Sequence, residues 1–189
     1  VVTIAVGYLL GTLNGSLVAY GKLPPFIATL GTMKIFRSVT QQVTKTFNPT
    51  VPDGFKLIAS AKIGGQVILP ILYWLVIVVI MHIIFKKTAF GRQTIAIGSN
   101  ERAAKLSGIN VNSVKRRIYA LCGIMCAIGA IIYVSRIGSM DYANAGSGYE
   151  MDAIAAVIVG GTSMAGGRGS LVGAFIGMLI MGVMNNILN

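Results

Sequence analysis

Long apolar stretches alternate with short polar intervals along this chain. The first stretch, Val1 to Tyr20, carries Gly7, Gly11 and Gly15 at four-residue spacing, a stripe that lets another helix approach closely. The second follows Pro24 and Pro25 and runs from Phe26 to about Val43, with Lys34 and Arg37 inside it. The third, Val67 to Phe85, is broken only by Pro70 and His82, and the fourth, Ile118 to Val134, carries no charge. Each is close to the length that crosses a hydrocarbon core of about 30 Å. In the last third, Asp152 to Met164 is apolar but short, GGRGS at Gly166 to Ser170 interrupts it, and Leu171 to Leu188 follows as a full-length span. This predicts a short helix entering from outside, a tight inner turn and a return helix. A full crossing and a re-entrant path both fit Asp152 to Met164. The segment Phe47 to Gly65 is polar and proline-containing but apolar near Phe55 to Ala61, as in an interfacial or re-entrant turn. The expected fold class is an all-α polytopic membrane protein, with residues 1–189 as a single transmembrane domain.

The polar interval between the third and fourth stretches changes this picture most. Residues 86–117 carry Lys86, Lys87, Arg92, Arg102, Lys105, Lys115, Arg116 and Arg117 against one acid, Glu101. Basic loops stay on the cytoplasmic side. Alternation then places Lys45 to Gln66 and Ser135 to Asp152 outside. There Lys45, Lys56, Lys62 and Arg136 balance Asp53, Asp141, Glu150 and Asp152. Inside the basic loop, Asn100 is a good N-cap and Gly108 a good C′ residue, bracketing about two helical turns. Glu101 and Lys105 add an i,i+4 pair worth a few tenths of a kcal/mol. Ala103 and Ala104 keep the helix thin, while Leu106 and Ile109 are apolar knobs. So short a helix is marginal alone and needs a surface to lie on. A partner protein is the natural one.

Composition agrees with the membrane reading. Hydrophobic residues make up 54% and charged residues 11%, against about 25% charged in soluble domains, and the mean hydropathy is +0.76. The net charge of +11 does not point to nucleic acid, because the basic loop has no base-stacking aromatics. Cys122 and Cys126 have no His or acid beside them, so a packing face explains them better than a metal. No catalytic set can be assembled from one His and five acids. GTSMAGGR, Gly161 to Arg168, lacks the GK[ST] ending of a nucleotide-binding loop. Neither a cofactor nor a metal is expected. His82 reads as a packing or interfacial residue. Lys34 and Arg37, three apart, fit either snorkelling or the wall of a water-filled path. Val1 lies within an apolar run and Asn189 ends a helix-like stretch, so the chain is expected to be an internal piece of a longer protein.

Four segments, in order, resemble the permease subunits of bacterial ABC sugar importers, the ribose permease group in particular, within the sugar/branched-chain amino acid permease superfamily. They are GKLPPFIATLGTM (Gly21 to Met33), GRQTIAIGSNERAAKLSGINV (Gly91 to Val111), YALCG (Tyr119 to Gly123) and the long run from Gly148 to Asn186. The resemblance implies a multi-helix permease of the vitamin B12-importer-like (type II) class in a bacterial cell membrane. It would pair as a homodimer on two cytoplasmic ATPase subunits and receive its sugar, a ribose-like monosaccharide, from an extracytoplasmic binding protein. It also implies that the ATPase binds the loop helix, which maps onto Asn100, Glu101, Arg102, Ala103, Ala104, Lys105, Leu106, Ser107, Gly108 and Ile109. The solute path would have a mildly polar wall, for which Asn14, Thr29, Thr32 and Ser38 are the candidates, although each can also bond back to its own helix.

An ion-coupled secondary transporter or channel is the alternative. It calls for ionisable groups at midplane and paired broken helices, and Lys34 and Arg37 are its support. A cysteine placed at Asp53 is expected to react with an impermeant maleimide on intact cells, and one at Ser113 to be spared. The reverse labelling pattern would invert the orientation.

Overall fold

The computed structural model describes residues 1–44, 51–52, 54–56, 69–139 and 144–188. The expectations for Phe47 to Gly65, and for Asp53 and Asp141, fall wholly or mainly outside these residues. The described residues are mostly helical, with α1 (Val2–Ala19), α2 (Pro25–Thr44), α3 (Leu69–Lys87), α4 (Ala89–Ser99), α5 (Glu101–Leu106), α6 (Val111–Ile137), α7 (Tyr149–Val159) and α8 (Leu171–Leu188). Helix is the outcome expected where backbone polar groups must be satisfied without water. Among the described residues, α1, α3 and α6 are long and apolar enough to cross a membrane. α2 is 20 residues long, but Lys34 and Arg37 lower its hydropathy. α8 has 18 residues, about 27 Å at 1.5 Å per residue, whereas the 11 residues of α7 reach only about 16 Å.

Three features differ from the sequence pattern, the first being α7, which runs Tyr149–Val159 where the pattern predicts Asp152 to Met164. The helix expected at Ile118 to Val134 begins seven residues earlier, at Val111, so Lys115, Arg116 and Arg117 lie on helix rather than loop. The apolar core of a span can be read from hydropathy, but a helix continues past the hydrocarbon wherever its polar turns are solvated. The remaining interval contains two helices, α4 as well as α5. Thr88 starts α4, with extended backbone and its hydroxyl accepting from Gly91 N at 3.4 Å. That cap was the signal in the sequence.

The chain divides into two compact units, Val1–Tyr73 with Asn112–Ala145, and Trp74–Val111 with Gly146–Asn189. In the first, α1 runs along α6 with backbones in contact. A Cβ added at Gly7 would lie 2.5 Å from Gly123 O, and one at Gly15 would lie 2.8 Å from Arg116 Cα. Gly11 meets Tyr119 O, and Gly123 in turn meets Gly7 O. Ser135 closes the far end of α6: it is fully buried, and its Oγ donates to Phe55 O at 2.7 Å. The buried apolar residues of the chain are mostly small, including Ala28, Ala120, Ala127 and Ala156, while large side chains such as Leu9, Ile71 and Ile80 face outward. This inverts a water-soluble core and suits lipid.

In the second unit, α7 and α8 form a hairpin. Gly160 meets Gly173 O, and Gly177 meets Ala156 O, both with backbones touching. Trp74 of α3 stacks on Phe175 of α8, with ring centroids 4.4 Å apart and 22° between planes. Phe85 and Phe90 make an edge contact across the α3–α4 bend.

The glycine contacts predict a sharp asymmetry between two positions on α6. Gly123→Leu forces α1 away and is expected to cost about 1–3 kcal/mol, the range for overpacking. Gly129→Ala, with nothing within 4 Å of the new Cβ, is expected to be neutral or mildly stabilising. Thermal unfolding in detergent measures both.

Candidate functional site

The basic segment folds into two helices joined by a single non-helical residue. Asn100 is extended, with φ −158° and ψ 103°. Its N–H closes α4 on Ala96 O at 3.0 Å, its carbonyl accepts from Ala104 N at 3.0 Å, and its Oδ1 accepts from Ala103 N at 3.0 Å. One residue therefore ends one helix and caps the next. At the other end, Gly108 has φ +81°, the left-handed conformation that a helix C′ residue adopts. Gly108 N donates to Lys105 O at 3.1 Å and Ile109 N to Ala104 O at 3.1 Å, the paired bonds of a Schellman motif. Glu101 lies in the first turn and Lys105 in the last, each at the end where the helix dipole favours it.

The faces of α5 differ. Ala104 is only 4% exposed, whereas Leu106 is 89% exposed, and Ala103 and Lys105 are exposed as well. Ala104 thus anchors the helix to the protein, while Leu106 projects apolar surface outward. Ile109 is half-buried and supports the C-terminal turn. Of the two alanines considered from the sequence, Ala103 alone is available to a partner.

The four candidate path residues do not form one wall. Asn14, on α1, has a buried Oδ1 without a hydrogen-bond partner. Thr29 Oγ1 donates to Pro25 O at 3.0 Å, and Thr32 Oγ1 to Ala28 O at 3.1 Å. Both hydroxyls are therefore held by their own helix. Ser38 is exposed and, at 3.6 residues per turn, falls on the opposite side of α2 from Thr29. Lys34 shares that exposed side. Arg37 turns away from it, its guanidinium donating to Ala145 O at 3.4 Å.

The cysteine pair corrects a packing expectation. Cys122 and Cys126 are exposed, and the face of α6 that meets α1 is offset by one residue, at Gly123 and Ala127. Gly169, Gly173 and Gly177 serve packing: Gly169 lies on Thr162, Gly173 on Gly160 just past the end of α7, and Gly177 on Ala156 of α7. The turn containing GTSMAGGR is held by Ser163 N donating to Arg168 O at 3.0 Å and Gly166 N donating to Ser163 O at 3.1 Å. It also meets the end of α4. A Cβ added at Gly98 would lie 2.6 Å from Gly167 N, and one at Gly166 would lie 2.6 Å from Gly98 O. This contact had no sequence signal beyond the glycines themselves.

Known proteins are similar to this chain over nearly its whole length. The model of the family described as "Branched-chain amino acid transport system / permease component" matches residues 1–189. The ribose import permease protein RbsC of Bacillus subtilis is 46% identical over 93% of this chain and 55% of its own length. RbsC of Haemophilus influenzae is 42% identical over 100% of this chain and 59% of its own. The galactose/methyl galactoside import permease protein MglC of Escherichia coli is 38% identical over 96% and 56%. The chain thus spans somewhat more than half the length of the curated relatives it matches. No solved structure matches it. With a family model that matches from the first residue to the last, over apolar helices that suit a membrane, the chain belongs to the branched-chain amino acid transport system permease family.

Proposed function

We propose that this chain supplies most of the membrane-embedded part of an ABC importer permease subunit, which moves a ribose-like monosaccharide inward across a bacterial cell membrane. A separate cytoplasmic subunit hydrolyses the ATP. Relatives named as ribose and galactose import permeases support the sugar class. In this reading both compact units belong to one permease domain of the type II class. The subunit pairs with a second copy and takes its solute from an extracytoplasmic binding protein.

The observation that carries the ATPase assignment is α5. It is capped at both ends, anchored by Ala104 and exposed at Ala103 and Leu106. An orientation signal needs only Lys and Arg, and accounts for neither the caps nor the exposed leucine. The segment Asn100 to Ile109 is therefore the docking element, with the basic residues of 86–117 on the same cytoplasmic side. The contact of Gly98 with Gly166 and Gly167 supports this orientation, because it joins two segments that the charge pattern assigns to the same side independently. Asn14, Thr29, Thr32 and Ser38 are still proposed as polar groups near the path, not as one wall of it, and Ser38 is the exposed one of the four.

Ala103→Trp and Leu106→Asp are each expected to leave membrane insertion intact and to weaken ATPase association by at least about tenfold, or 1.4 kcal/mol, with uptake lost. Asn100→Ala removes the cap at a cost of about 1 kcal/mol and is expected to give a partial defect. Copurification of the ATPase with the tagged subunit, alongside uptake in cells, measures both effects. Wild-type copurification by Ala103→Trp would exclude α5 as the docking surface.

A further inference from the structure

We propose that Gly98 and Ser99 are positioning residues that carry the movement of α5 into the α7–α8 hairpin, through their backbone contact with Gly166 and Gly167. The proposal rests on the reading of α5 as the docking helix, and it names where the push goes next.

Three observations carry it. The contact is mainly backbone against backbone, with the Ser99 hydroxyl beside it. A Cβ on Gly98 would lie 2.6 Å from Gly167 N, one on Gly166 would lie 2.6 Å from Gly98 O, and one on Gly167 would lie 2.5 Å from Ser99 Oγ and 2.8 Å from Ser99 Cα. Packed backbone transmits displacement without the slack that a rotating side chain allows. The turn itself is braced. Gly166 and Gly167 have φ of +88° and +74°, and the bonds from Ser163 N to Arg168 O and from Gly166 N to Ser163 O tie its two strands together. Beyond the turn, α7 and α8 touch backbone to backbone at Gly160 with Gly173 and at Ala156 with Gly177, so the hairpin responds as one body.

On the other side of the contact, a single extended residue, Asn100, separates α4 from α5, and its N–H, carbonyl and side chain bond to both helices. A displacement of α5 therefore reaches Ser99 with little loss. The spans flanking the basic segment give one route for that displacement. The glycine contact gives a second, into helices far along the chain, and a rigid joint there makes α4, α5 and the hairpin move together.

The test uses the full-length subunit reconstituted in vesicles with its ATPase and binding protein. Gly98→Ala favours helix in α4 but wedges a methyl group into the contact. We expect normal ATPase association, continued ATP hydrolysis, and uptake lower by about tenfold, within the range by which single contacts alter coupling. Gly182→Ala, with nothing within 4 Å of the new Cβ, is the neutral reference. Wild-type uptake by Gly98→Ala, or loss of ATPase association, would overturn the transmission role. Neither result bears on Ala103→Trp, which tests docking separately. Should Gly98→Ala fail to insert, Ser99→Cys paired with Gly167→Cys decides, with Gly167→Cys alone as the reference for strain. A disulfide that forms on oxidation and leaves uptake at the level of Gly167→Cys alone is the expected result. Failure to form it, or a disulfide that stops uptake until reduced, would overturn the proposal.

Discussion

The close approach of helix backbones at glycine is the interaction on which this structure depends. Lipid is as apolar as a leucine side chain, so two helices gain little by burying large residues against each other in a membrane. What remains is dispersion between tightly fitted surfaces, and it grows as the backbones approach. α1 meets α6 through Gly7, Gly11, Gly15 and Gly123, and α7 meets α8 through Gly160, Gly173 and Gly177. The large side chains of α3 are left facing outward, and none of its residues is buried. Gly108 and Gly166 serve a different purpose. Each has positive φ, which a residue with a Cβ adopts only at a cost.

Electrostatics acts on this frame at long range and at short range. The excess of Lys and Arg in residues 86–117 is what the proposed cytoplasmic placement rests on, a property of the interval as a whole and indifferent to its detailed fold. The same interval contains a local device that charge cannot specify. Asn100 terminates α4 and caps α5 through three hydrogen bonds, so the two helices meet at a fixed joint. A six-residue helix does not persist in water on its own strength. It persists here because both ends are closed and Ala104 is buried.

Arg37 and the two cysteines show how a polar or reactive residue acquires its meaning from its neighbours. Lys34 and Arg37 are three positions apart, and the sequence allows both to face one aqueous path. Arg37 instead donates to a distant carbonyl, Ala145 O, which satisfies part of its guanidinium internally, while Lys34 stays on the exposed side. Cys122 and Cys126 lie one step around α6 from the glycine face, a rotation of about 100° that separates a packing residue from an exposed one.

Whatever depends on near neighbours in the chain was legible from the residues alone. The apolar stretches located the long helices, Asn100 and Gly108 marked the ends of α5, and the glycine period identified α1 as a packing helix. Each of these follows from bonds and spacings within a turn or two. The sequence left open where α6 begins, since hydropathy reports the hydrocarbon-matched part and is silent about polar turns that continue the helix to Val111. α4 was hidden among polar residues for the same reason. Long-range packing settled which glycine stripe meets which, that Ala104 is buried while Leu106 stands free, and that Gly98 rests on Gly166 and Gly167. A helical period names a face but not the face's partner, because residues far apart in the chain are brought together by the summed fit of whole surfaces rather than by any local rule.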